Sequence, residues 1–223
     1  MARRLKLDEV PAWVRQRLAG RTGTLWIGVD GFGAAGKSTL AHRIAAELPD
    51  AHVVAVDDFA RDGVPGWDRE LFAAQVLNRL LAGRPARYQR WDLVADAGLD
   101  WVEVPTGVPV IVEGVSATDD RVPVPWDLTI WVAAPAHVRR RRILARDTDP
   151  AMMERWRTDW LPSEQAYAAA QRPWTRADVV VDGSASTSGG LVEKDGILML
   201  AHGFDMSPEE LREFRLAGGG GTY

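Results

Sequence analysis

Residues 24–40 read Thr-Leu-Trp-Ile-Gly-Val-Asp-Gly-Phe-Gly-Ala-Ala-Gly-Lys-Ser-Thr-Leu, and no other stretch constrains the chain as strongly. A β-forming apolar run, Leu25 to Val29, stops at Asp30, and Gly31, Gly33 and Gly36 then lead to Lys37, Ser38 and an amphipathic segment. The spacing is G-x-x-x-x-G-K-[ST] between a strand and a helix, the context in which this pattern cradles an oligophosphate. Glycine lets the backbone wind closely around phosphate, so that successive N–H groups and the start of the next helix point at negative charge. Gly31, Gly33, Ala34, Ala35, Gly36, Lys37, Ser38 and Thr39 are therefore the expected nucleotide-binding residues. Lys37 would reach the β- and γ-phosphates, and the Ser38 hydroxyl would hold Mg²⁺. Lys37 is also one of only three lysines in 223 residues, so its place in this loop is not background.

The rest of the chain alternates strand and helix signals. Helical spacing is expected over residues 8–19, 40–48, 69–82, 136–146 and 150–171, the last punctuated by Pro162. Apolar runs at 25–29, 51–56, 108–112, 127–133 and 177–181 read as buried parallel strands. The expected fold class is thus α/β, a P-loop NTPase with a parallel sheet of about five strands and helices on both faces. Residues 84–106 are irregular and read as either a small strand-rich excursion or a long loop. The expected organisation is an N-terminal helix and lead-in over 1–23, a P-loop domain over 24–183, a flexible linker over 184–190 and a tail over 191–223. In that tail Ser207-Pro208-Glu209-Glu210 carries a helix-start signature.

Ligands of an open parallel sheet sit outside the carboxyl ends of its strands, which singles out Asp57, Asp58 and Glu113. A carboxylate just past the second strand, Asp57, can accept a proton from a hydroxyl attacking the γ-phosphorus, with Asp58 bracing it. Glu113, at the end of the next core strand, can hold Mg²⁺ directly or through water. Phosphoryl transfer also needs positive charge where the transition state spreads its negative charge. Arg142 and Arg146, four apart on one helix face, are the expected lid pair.

From about residue 20 to 183 the chain resembles the uridine kinase and phosphoribulokinase group of P-loop kinases. The resemblance rests on Val-Asp-Gly-Phe-Gly-Ala-Ala-Gly-Lys-Ser-Thr, Val-Asp-Asp-Phe, Gly-Trp-Asp, Pro-Val-Ile-Val-Glu-Gly, Arg-Arg-Ile-Leu-Ala-Arg-Asp and Ala-Asp-Val-Val-Val-Asp-Gly. It implies Asp57 as catalytic base, Asp68 of the Trp67-Asp68 pair on the acceptor's sugar hydroxyls, and Tyr88 against the acceptor base, with Arg90 nearby. It also implies Glu113 at Mg²⁺ and Arg142 and Arg146 in a lid. Two departures fall on the acceptor side: Ala60 stands where that group usually has tyrosine, and residues 86–92 hold no histidine. The expected activity is transfer of the ATP γ-phosphoryl group to a hydroxyl of a small metabolite, first a uridine- or cytidine-like nucleoside. A pantothenate-like or antibiotic hydroxyl is the alternative acceptor, and a nucleotide-binding scaffold acting through its tail is the alternative role.

Composition narrows the remaining choices. A net charge of -4 does not suggest nucleic acid as a partner, and no run approaches 18 apolar residues, so no membrane partner is expected. Zero cysteines exclude disulfides and thiolate chemistry and agree with a cytoplasmic setting. Asn78 is the only asparagine and is followed by arginine, which excludes the guanine-selecting Asn-Lys-x-Asp of GTPases. A homo-oligomer and peptide docking by the tail both stay open at this stage.

Overall fold

The computed structural model describes residues 3–92, 95–146, 150–184, 191–194 and 197–200. In chain order it contains β1 (Arg3–Lys6), α1 (Val10–Leu18), β2 (Leu25–Asp30), α2 (Lys37–Glu47) and β3 (His52–Ala55), then a 3₁₀ turn at Val56–Phe59. Next come α3 (Arg69–Phe72), a π-helical turn at Ala73–Leu77, α4 (Asn78–Leu81), β4 (Ala86–Asp92), β5 (Ala97–Val104), β6 (Pro109–Gly114) and β7 (Leu128–Ala133). The arginine-rich α5 (Ala136–Arg146) is followed by α6 (Pro150–Arg155), a π-helical turn at Trp156–Trp160, α7 (Leu161–Gln171), β8 (Val179–Asp182), β9 (Leu191–Lys194) and β10 (Ile197–Leu200).

Six strands form one parallel sheet in the order β1-β8-β7-β2-β6-β3. The five strands expected from the apolar runs are all present, and β1 adds a sixth at the edge beside β8, where only a helix and lead-in were expected. Arg3-Arg4-Leu5-Lys6 carries three charges in four positions, which suits an edge strand and hides it from an apolar scan.

Alternation along β2 assigns the two covered faces. Ile27 and Val29 pack with Val10, Val14, Leu40 and Ile44 of α1 and α2, while Trp26 packs with Val54, Phe59, Phe72, Val110 and Val112 on the other face. Leu40 and Ile44 lie one turn apart and are fully buried, so truncating either to alanine would cost about 2–5 kcal/mol. Complete burial of β2 fixes its register, which pairs Asp30 with Gly114 on β6 and with Trp131 on β7. β6 and β7 flank β2 on opposite sides, so the chain reverses direction of winding there and opens a crevice above the carboxyl end of β2.

β4 pairs with β5 antiparallel, with a register shift between Gln89 and Trp91. This settles the irregular stretch as a strand excursion. β9 and β10 make a second antiparallel pair in the segment after residue 190. The expected linker over 184–190, apart from Ser184, and the expected helix near Ser207 lie outside the described residues. Among the described residues no helix is long and apolar enough to cross a membrane.

Candidate active site at the carboxyl edge of the sheet

The phosphate loop takes its shape from steric exclusion. Gly31 has φ 149° and a Cβ there would run into the Val132 carbonyl, so only glycine lets the loop lean on β7. Gly36 precedes α2 at φ 105°, and Ala34 is left-handed at φ 58°, a strained setting for a residue with a side chain. α2 therefore aims its N-terminal N–H groups back at the loop. Lys37 opens that helix and is 7% exposed, with Nζ donating to the Phe32 carbonyl at 3.0 Å.

Behind the loop lies a carboxylate that the sequence reading did not use. Asp30 is 1% exposed and accepts from Gly31 N (2.6 Å), Ser116 N (3.0 Å), Thr118 N (3.0 Å), Thr118 Oγ1 (2.7 Å) and the Tyr167 hydroxyl (2.6 Å). One side chain thus joins the phosphate loop, the turn after β6 and α7. Burial, and then the charge of Asp30, push the Tyr167 hydroxyl far above its usual range, so it keeps its proton and donates it to Asp30.

Register brings the expected catalytic carboxylates to the same edge. Glu113 pairs with Ala55, and Asp57 follows two residues later on the 3₁₀ turn, where it is exposed. Glu113 is 7% exposed, and its Oε2 has no hydrogen-bond partner. Burial raises its pKa above the ordinary carboxylate value, opposed by the Lys37 ammonium and the facing Ser38 hydroxyl. A buried, unpartnered carboxylate oxygen beside a serine hydroxyl suits a hard oxygen-seeking cation. Among the described residues no group of three or more His, Asp or Glu could cage a metal ion. The fit is accordingly to Mg²⁺ shared with phosphate oxygens rather than to an all-protein site.

A cavity of about 510 Å³ opens over this edge. Of the expected site residues, Gly33, Ala34, Gly36, Lys37, Ser38, Thr39, Asp57, Trp67, Glu113, Arg142 and Arg146 line it. Gly31 and the fully buried Ala35 support the loop from behind. The remaining acceptor-side residues sit elsewhere. Asp68 caps α3, accepting from Leu71 N at 2.8 Å. Tyr88 is 1% exposed, its ring 5.0 Å from that of Phe59. Asp58, whose pKa is raised by burial and lowered by Arg90, pairs with Arg90 at 3.5 Å, and Arg90 also reaches Asp100 at 3.3 Å.

α5 and α7 close the cavity. Arg142 donates to the carbonyls of Ala34 (3.1 Å), Ala35 (3.3 Å) and Gly183 (2.8 Å), tying the phosphate loop to the end of β8. Arg146 lies one turn on and is exposed. Arg139 is nearly buried, stacks on Phe32 at 4.7 Å, and pairs with Glu164 of α7 at 3.0 Å. Glu164 in turn accepts from Gly33 N at 2.7 Å.

Three cavity residues that sequence reasoning missed, Trp156, Trp160 and Glu164, recur every four positions along the α6–α7 segment. That spacing was visible, but it is also the spacing of any core-facing helix stripe. The π-helical turn at Trp156–Trp160, a distortion frequent at functional sites, does not show in sequence. Arg155 of this segment pairs with Asp62 at 3.3 Å.

No protein-family model and no curated protein sequence matches the chain. Solved structures do. A Bacillus stearothermophilus protein described as a "possible uridine kinase" matches 79% of this chain and 99% of its own, with a TM-score of 0.59 at 22% identity. A Silicibacter protein described as a "putative fructose transport system kinase" matches 79% of this chain and 98% of its own, with a TM-score of 0.59 at 24% identity. The chain has the fold of the P-loop kinases.

Proposed function

We propose that this protein is a kinase that transfers the γ-phosphoryl group of ATP to a hydroxyl of a small metabolite, with a nucleoside as the first acceptor to test. The observation that carries the reading is the meeting of Lys37, Ser38, Asp57 and Glu113 in one cavity at the carboxyl edge of the sheet. Both structural neighbours bear the names of kinases for small hydroxyl compounds, which agrees with it.

In this mechanism the loop N–H groups and Lys37 hold the β- and γ-phosphates and offset charge that builds on them. Asp57, exposed on its turn, takes the proton of the acceptor hydroxyl as that oxygen attacks. Ser38 and Glu113 would hold Mg²⁺, whose charge would offset that of the phosphates. Arg142 has its donors committed to backbone carbonyls and keeps the loop in shape, which leaves Arg146 as the α5 cation that approaches the transferring group. Trp156 and Trp160 line the cavity, and aromatic side chains there suit an acceptor with a ring. We place the protein in the cytoplasm, where a cysteine-free chain is at home.

A coupled ADP-release screen with nucleosides, pantothenate, sugars and aminoglycoside or phenolic acceptors tests this function. One acceptor class should raise ADP release well above the acceptor-free rate. No stimulation by any class, with ATP bound, would count against the kinase reading and favour a nucleotide-binding scaffold.

A further inference from the structure

Glu164 is a cavity-lining carboxylate that accepts from a backbone N–H of the phosphate loop. It is 3% exposed, and its two oxygens are divided between Gly33 N–H at 2.7 Å and the Arg139 guanidinium at 3.0 Å. A Cβ on Gly33 would stand 3.2 Å from Glu164 Oε2, so glycine at this position is what lets the carboxylate come in so close. Both partners are of the kind that bind phosphate: a loop N–H beside a helix N-terminus, and a guanidinium. Asp57 already offers an exposed base and Glu113 the metal-side carboxylate, so the mechanism above gives Glu164 no role.

We infer that Glu164 is a resident anion on the phosphate loop, a specificity-determining residue that the terminal phosphate of a nucleoside triphosphate must displace and a diphosphate need not. The inference rests on the kinase reading for the nucleotide's position on the loop. Two anions cannot share Gly33 N–H and Arg139. When the γ-phosphate arrives it takes the Gly33 donor, and the carboxylate leaves with the face of α7 that carries it. Trp160 and Ser163 belong to the same segment and line the same cavity, and Ser163 Oγ stands 3.5 Å from where a Cβ on Gly66 would be. Displacement of Glu164 therefore reshapes the acceptor wall only when a γ-phosphate is present. Phosphoryl transfer removes that phosphate from the loop, and Glu164 returns to its donors as ADP remains.

The test compares ATP with ADP by calorimetry on the full chain and on Glu164→Gln. Glutamine keeps an acceptor oxygen for Gly33 but loses the charge that competes with phosphate. Loss of one charge-assisted contact predicts that ATP binds about ten- to a hundredfold more tightly while ADP affinity changes less than about threefold. Equal changes for both nucleotides, or none, overturn the inference, as does weaker ATP binding. If the wild-type chain binds neither nucleotide, the kinase reading itself has failed. A second measurement needs no variant: hydrogen exchange of peptides spanning 156–171 with a non-hydrolysable ATP analogue and with ADP. Exchange should rise with the ATP analogue alone, and an identical pattern with both would overturn the inference even if Glu164→Gln did not fold.

Discussion

Replacing Asp30 by asparagine isolates the contribution of the carboxylate behind the phosphate loop. Thr118 N–H, Thr118 Oγ1 and the Tyr167 hydroxyl converge on Oδ2, and Gly31 N–H and Ser116 N–H converge on Oδ1. An asparagine must turn its NH₂ toward one of these groups. Toward Gly31 and Ser116 it meets two backbone N–H groups that cannot reorient; toward Oδ2 it meets one, because the two hydroxyls can rotate to accept. At least one buried N–H thus loses its partner, costing about 1–3 kcal/mol, and loss of the charge-assisted contacts adds about 1.5–3 kcal/mol. A total of about 2.5–6 kcal/mol lowers Tm by about 5–24 °C for a chain of this size. Circular dichroism melts would read the shift, with urea unfolding to check that the slope m is unchanged. A fall of less than about 3 °C would show that the network is not a structural joint, since that corresponds to roughly 1 kcal/mol.

Two other substitutions probe the same edge. Glu113 has its pKa raised by burial from an ordinary 4.5, so its protonated form is favoured in the folded chain. Its contribution to stability is fully present below the unfolded value and is lost as pH rises through the raised folded one. Glu113→Gln should therefore be more stable than wild type at pH 7 without Mg²⁺, with the gain shrinking toward pH 4; a gain that does not change with pH would contradict the assignment. At Gly183 a Cβ would meet the Ala35 carbonyl and stand 2.8 Å from Val132 Cγ1. Gly183→Ala should cost about 1–3 kcal/mol through overpacking and weaken ATP binding by pushing on the loop, and an unchanged melt with unchanged ATP affinity would refute this.

How much of this was legible depended on whether a signal was local. The phosphate loop was fully readable because its steric demands act on consecutive residues, from Gly31 to Ser38. Asp57 and Glu113 were readable because buried parallel strands announce themselves as apolar runs, and the residue that ends such a run must stand at the sheet edge. Asp30 ends a run as well, but its role depends on Thr118 and Tyr167, 88 and 137 residues away. The contact between Glu164 and Gly33 spans 131 residues and left no local trace. Tyr88 and Asp68 show the converse limit. Their residue types suit an acceptor site, yet the pairing of β4 with β5 turns Tyr88 under Phe59, and Asp68 serves as a helix cap. The pair β9 and β10 flanks Asp195-Gly196, a dipeptide that favours hairpin turns, but only the second of the two strands is an apolar run.

The central claim is that Asp57 serves as base for a hydroxyl attacking the γ-phosphorus of a nucleotide held by the loop. Single-turnover transfer of labelled γ-phosphoryl from ATP, compared between wild type and Asp57→Asn at saturating ATP and acceptor, tests it most directly. ATP affinity should stay within about threefold of wild type while the transfer rate falls by about 10²- to 10⁴-fold. Transfer at the wild-type rate by Asp57→Asn would contradict it.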